Sequence, residues 1–179
     1  MCMKENNSIS VILPFFNNRH TIERAVFSVL SQSYSNWELI VVDDGSEDDG
    51  LALIERVEDS RIRCYRLPHQ NANTARNYGI THSYGAYIAM LDADDEWTEN
   101  HLACSLAVLQ KEKVDGIYGS LILREKNDKV VITRALQPDE SWVDFLLSNG
   151  YAAQTSTLFM TSMSVKNILW NETLLRHQD

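Results

Sequence analysis

Proline, cysteine and positive charge are all in short supply in this chain, and each shortage removes a class of explanation. Three prolines leave no stretch that reads as a linker, and no repeat or low-complexity segment breaks the 179 residues, so a single folding unit over 1–179 is expected. The cysteines, Cys2, Cys64 and Cys104, are odd in number and widely spaced. They fit neither a disulfide framework nor a zinc site and suit a reducing cytoplasm. Lysine and arginine total 16 against 25 acidic residues, a formal net charge of -9, which disfavours a phosphate-backbone binder such as a DNA-coating protein. Met1 to Ser10 has no signal-peptide core, and no later run is apolar enough for a bilayer span. Neither a glycine-rich phosphate loop near the N-terminus nor a Walker-type lysine loop is present.

What is present is an alternation of strands and helices. With 44% hydrophobic residues the chain can bury one sizeable core. Ile9 to Leu13, ended by Pro14, and Glu38 to Val42 read as buried strands. Between them Ile22, Ala25, Val26, Val29 and Leu30 recur on one helical face, with Thr21 and Glu23 at its start. Strand, helix, strand is the βαβ signature of a parallel sheet. The pattern continues with a strand at Arg61 to Leu67, a helix from Ala72 to His82, a strand at Ala86 to Leu91 and a helix striped by Leu102, Leu106 and Leu109. Strands follow at Gly116 to Arg124 and Lys129 to Arg134, then a helix at Trp142 to Leu147 and a strand at Thr157 to Met160. The expected fold class is α/β, with a mainly parallel, Rossmann-related sheet and helices on both faces. Such sheets bind ligands at the carboxyl ends of their strands, where strand order reverses.

Polar clusters stand at those strand ends. Asp43, Asp44, Gly45 and Ser46 follow the second strand; the plain reading is an acidic turn with glycine at positive φ. After the fourth strand come Asp92, Asp94, Asp95 and Glu96, four carboxylates within five residues. Like charges so close need neutralising, and a hard divalent cation with oxygen ligands does this; an acidic helix start is the plain alternative. His69 to Gly79 opens a helix with one cation, Arg76, suited to a phosphate or to an internal salt bridge. Pro14, Phe15, Phe16, Asn17 and Asn18 close the first strand, where an aromatic ring is either core or a ligand platform.

Val11-Ile-Leu-Pro-Phe-Phe-Asn17, Val42-Asp-Asp-Gly-Ser46, Asn71 through Ala75-Arg76-Asn77-Tyr-Gly79, and Leu91-Asp-Ala-Asp-Asp95 together resemble the ordered motifs of family 2 glycosyltransferases, with Gln32-Ser-Tyr closing the first helix as in that family. The resemblance covers nearly the whole chain and implies the GT-A fold. It implies that Phe16 stacks on the nucleobase, usually uracil, that Asp44 accepts a base N–H, and that Arg76 approaches the donor phosphates. The implied donor site comprises Pro14, Phe16, Asn17, Asp43, Asp44, Arg76, Asp92 and Ala93. Asp92 and Asp94 form the D-x-D motif and, with Asp95, would hold Mn2+ or Mg2+.

The family's general base is the Asp of a late Glu-Asp pair, which falls on Asp179 in Trp170-Asn-Glu-Thr-Leu-Leu-Arg-His-Gln-Asp179. Gln178 departs from the usual Glu; His177 and Glu172 are secondary candidates. The activity implied is metal-dependent, inverting transfer of a sugar from a nucleotide donor, UDP-linked by expectation, to a saccharide or lipid-linked acceptor in bacterial surface polysaccharide assembly. The expected location is the cytoplasm, extending to the inner face of the membrane. A continuation beyond Asp179 is expected, with room there for a membrane anchor. Two rivals stand beside this reading: a sugar-phosphate nucleotidyltransferase, disfavoured by the missing glycine-rich loop, and a non-catalytic nucleotide-sugar or glycan-binding module.

Overall fold

The computed structural model describes residues 7–123, 129–131 and 154–174. Its N-terminal part alternates β1 (Ile9–Phe15), α1 (Ile22–Leu30), β2 (Trp37–Asp43), α2 (Gly50–Ile54), β3 (Ile62–Arg66), α3 (Ala72–Thr81), β4 (Tyr87–Met90) and α4 (His101–Glu112). Then come β5 (Gly116–Ile117), β6 (Leu121–Leu123), β7 (Lys129–Val131), a 3-10 turn at Thr155–Thr157, β8 (Phe159–Thr161) and α5 (Ser162–Ile168). The main sheet runs β3-β2-β1-β4-β8-β5. Its first four strands are parallel, and β8 and β5 each pair antiparallel. The α/β expectation holds.

β1 explains the layering. Ile9, Val11, Leu13 and Phe15 face one side of the sheet and Ile12 the other, the period of two of a strand. The first set packs with Ile22, Ala25, Val26 and Val29 of α1 and Leu102, Leu106 and Leu109 of α4. On the opposite face Ile12, Ile40 and Val42 pack with Ala75 and Ile80 of α3 and Val165 of α5. Helices thus cover both faces, and each fully buried Ile or Leu contributes about 1.5–3 kcal/mol. β1 lies between β2 and β4, so the strand order reverses beside it, and the carboxyl ends of these strands form the rim where a ligand is expected.

Gly79 lets α3 close onto this sheet: a Cβ there would lie 2.6 Å from Ile12 Cγ2. A β-branched side chain in a packed core has little room to yield. Gly79→Ala is therefore expected to lower stability by about 1 kcal/mol or more, the overpacking cost exceeding the helix-propensity gain. A urea melt showing stabilisation would contradict this.

Several boundaries differ from the sequence expectation. Pro14 does not end β1 but lies inside it, in register with Val42. Ile12 O accepts from Leu91 N, so the position two residues on, Pro14, faces the same β4 side, where the β1–β4 ladder has already ended at Met90; the missing N–H costs no bond there. The run Gly116 to Arg124 divides into β5 and β6, because residues 116–117 pair with β8 and 121–123 with β7. The strand expected at Thr157 to Met160 begins at Phe159, after the 3-10 turn. Of Lys129 to Arg134 only β7 is described, and the helix expected at Trp142 to Leu147 lies outside the described residues. No helix among the described residues is long and apolar enough to cross a membrane.

Candidate functional site

The carboxyl ends of β1, β2 and β4 and the start of α3 enclose a cleft of about 220 Å³ lined by Pro14, Phe15, Phe16, Asn18, Asp44, Ala72, Arg76, Asp92, Ala93 and Asp94. Seven of the residues expected at a donor or metal site therefore share one cleft: Pro14, Phe16, Asp44, Arg76, Asp92, Ala93 and Asp94.

Each is placed by its local backbone. Phe16, just past β1, is 40% exposed, so it is not core; one face of its ring stacks on His69, with centroids 4.0 Å apart. Asp44 is buried in the turn after β2, where its Oδ1 accepts from Gln70 N at 3.0 Å and its Oδ2 lies 2.9 Å from His69 Nδ1. That turn needs Gly45, whose φ is +77°, and an added Cβ there would sit 2.6 Å from His69 N. Arg76 is buried on α3; its Nη1 donates to Asn73 Oδ1 at 3.2 Å and its Nη2 to Asp92 Oδ1 at 2.9 Å. Asp92 N donates to Ser156 Oγ, and Trp97 Nε1 to Ser156 O, so the 3-10 turn anchors the loop carrying the carboxylates.

Three expected residues take other positions. Asn17, in the left-handed region at φ 54°, accepts from Glu47 N through its Oδ1 and donates its own N–H to Ser46 Oγ. Asp43 accepts from Ser46 N at 2.8 Å and stands 3.5 Å from Arg66 Nε. Both brace the joined ends of β1 and β2 rather than line the cleft. Asp95 is exposed and also outside the lining; its N–H donates to Asp92 O. Asp179, His177 and Gln178 lie outside the described residues.

The crowded carboxylates after β4 are partly paired within the protein. Arg76 neutralises Asp92, and Arg24 Nε stands 3.6 Å from Glu96 Oε2 while its Nη2 donates to Asp94 O. No three His, Cys, Asp or Glu side chains among the described residues converge as an ion cage. Two of the four crowded carboxylates, Asp92 and Glu96, are thus neutralised by the protein's own cations. The Asp94 carboxylate nevertheless lies exposed in the cleft with no hydrogen-bond or ion-pair partner among the described residues. One or two carboxylates with phosphates and water completing the shell is the way Mg2+ is usually bound, and these residues fit it.

His69, Asn71, Asn73 and Asn77, which carry no expected role, all lie in the segment around Arg76 and make its contacts or those of its neighbours. Their signal was the density of amides at a helix start, of which Asn71 is also the N-cap, accepting from Thr74 N. Cys64 supplies no nucleophile: burial, with Glu55 beside it, pushes its thiol up to about 11.

The family model for glycosyl transferase family 2 matches residues 10–164. The chain belongs to glycosyltransferase family 2. It is 33% identical over 142 residues to the UDP-Glc:alpha-D-GlcNAc-diphosphoundecaprenol beta-1,3-glucosyltransferase WfgD of Escherichia coli, covering 79% of this chain and 55% of the relative. It is 33% identical over 161 residues to a second such Escherichia coli glucosyltransferase, WfaP, covering 89% of this chain and 63% of the relative. This family 2 chain thus spans less than two thirds of the length of either. Among solved structures, S. aureus TarS 1-349 in complex with UDP superposes with a TM-score of 0.76 at 19% identity, over 96% of this chain and 52% of that one. The mannosyltransferase PcManGT of Pyrobaculum calidifontis, in complex with GDP-Man and Mn2+, gives 0.70 at 18% identity, over 93% and 48%. Both likenesses concern the fold.

Proposed function

We propose that residues 1–179 form the nucleotide-sugar-binding domain of a metal-dependent, inverting glycosyltransferase of bacterial polysaccharide synthesis, acting in the cytoplasm at the inner face of the membrane. The observation that carries this reading is the convergence of Phe16, Asp44, Arg76, Asp92 and Asp94 on one cleft at the switch point of the sheet. An aromatic face, a buried carboxylate, a guanidinium and an exposed carboxylate suit, in turn, a nucleobase, its N–H edge, a diphosphate and a cation. The names of the Escherichia coli relatives, with UDP-Glc as donor and a diphosphoundecaprenol-linked sugar as acceptor, support a UDP-linked donor and a lipid-linked saccharide acceptor.

In this reading Phe16 holds the base on the ring face that His69 leaves open, and Asp44 accepts its N–H. Arg76 faces the diphosphate, and Asp94 with Asp92 would hold Mn2+ or Mg2+. When bound, the cation acts as a Lewis acid toward the departing nucleoside diphosphate. The Asp179 carboxylate takes the acceptor hydroxyl proton as that oxygen attacks the anomeric carbon from the opposite face, which inverts the configuration.

Calorimetry with UDP, GDP and their sugars, each in Mn2+ and in EDTA, followed by transfer assays, tests the proposal. Cation-dependent binding of UDP is expected; no nucleotide binding under any condition would overturn it. Phe16→Ala is expected to keep the fold and weaken UDP by about 1 to 2 kcal/mol, the lower part of the range for base stacking because His69 already covers one ring face. Loss of the folded state would mean that Phe16 supports the core instead.

A further inference from the structure

Residues 170–172 are hydrogen-bonded to the start and body of α3 by asparagine side chains. Asn77 pairs with the backbone of Trp170 as a strand would: its Oδ1 accepts from Trp170 N at 2.8 Å and its Nδ2 donates to Trp170 O at 2.8 Å. The same Nδ2 donates to Glu172 Oε1 at 2.8 Å. Asn73 Nδ2 donates to Asn171 O at 3.0 Å, and Asn71 Nδ2 to Glu172 O at 3.0 Å. Asn73 and Asn77 are buried, 1% and 5% exposed. Amides there are costly unless bonded on both sides, and these bonds join segments more than ninety residues apart.

The clamp reaches the cleft through one side chain. It holds the Trp170 ring against Arg76, whose guanidinium carbon lies over that ring at 5.1 Å from its centroid. The same guanidinium is fixed at Nη1 by Asn73, itself part of the clamp, and at Nη2 by Asp92. A guanidinium held on one face by an indole and at two nitrogens by acceptors has lost most of its rotamer freedom before any ligand arrives, which lowers the cost of binding an anion.

We propose that Asn73, Asn77 and Trp170 are positioning residues for nucleoside diphosphate binding, acting through Arg76: the asparagines seat Trp170, and Trp170 with Asn73 sets the guanidinium toward the diphosphate. This rests on the donor-site reading above. Residues 170–172 are thereby a working part of the donor site, although none of them lines the cleft.

The test is a double-mutant cycle on UDP affinity, measured by calorimetry in Mn2+ with Trp170→Leu, Arg76→Lys and the pair. Trp170→Leu is expected to weaken UDP by about 5- to 30-fold, the range of a desolvated cation–π contact, while Trp170→Tyr restores most of it. In the Arg76→Lys background the same change is expected to cost under about twofold, since residues in contact couple strongly. Asn77→Ser, confirmed as folded by circular dichroism, is expected to behave as Trp170→Leu does. Equal losses from Trp170→Leu in both backgrounds, or folded Trp170→Leu and Asn77→Ser variants with unchanged UDP affinity, overturn the clamp's role and leave the donor reading standing. No UDP binding by the unsubstituted chain overturns both.

Discussion

Replacing Asp179 by Asn is expected to leave Mn2+-dependent UDP binding intact and to lower sugar transfer by about 10²- to 10⁴-fold, the ordinary loss for a removed general base. The expectation follows from separating two tasks. Phe16, Asp44, Arg76 and Asp94 gather on one cleft and, in the proposed reading, deal with the donor. In that reading none of them is left to take a proton from an acceptor: Asp44 is buried against His69 and Gln70, Arg76 has no acceptor atom, and Asp94 is assigned to the cation. The proposal gives that role to Asp179, the position matching the family's late acidic pair, and asparagine there preserves shape while removing the basic oxygen. Calorimetry and a transfer assay on the same preparation check it. Undiminished transfer would shift the role to His177 or Glu172. Glu172 is the less suited of these, because Asn77 Nδ2 already donates to its carboxylate.

Asp94→Ala is expected to weaken UDP binding in Mn2+ by about a hundredfold or more and to leave the weak binding in EDTA unchanged. Loss of an outer-sphere partner alone costs about 10- to 100-fold in metal affinity, and a direct ligand more. Asp92 cannot compensate fully, since its Oδ1 is committed to Arg76 at 2.9 Å. Asp95 is exposed outside the cleft lining. If Asp94→Ala retains the full difference between Mn2+ and EDTA, Asp94 does not hold the ion.

Strong periodicity made the N-terminal half legible. β1, α1 and β2 fall close to where alternation of two and of three to four residues places them, because their buried faces are continuous. Legibility fell where pairing depends on distant partners. β4 joins β8, about seventy residues later, and the β5–β6 break is set by which strand each piece meets; neither leaves a local pattern. α5 escaped notice because Val165 is its one buried residue. Phe16, Asp44 and Asp94 could be read as cleft residues because their chemistry coincides with strand-end positions, and Arg76 because it is the one cation near the start of α3. Asn17 and Asp43 have the same positions and chemistry yet serve the turn, a distinction carried by backbone direction alone. The amides of α3 were hidden for a different reason: an asparagine bonded to a remote backbone looks in sequence like any polar helix residue.

Pro14 gives the crevice between β1 and β4 a property that no side chain supplies. Adjacent parallel strands tend to zip together for as long as amide donors and carbonyl acceptors face each other. Beyond Ile12 and Met90 the donor facing β4 would belong to residue 14, and a pyrrolidine nitrogen has no hydrogen to offer. The opening is therefore guarded in the main chain, by an atom that is not there. Residues around it can be exchanged to suit one ligand or another, in the proposed reading a nucleotide sugar, without the two strands seizing the space between them.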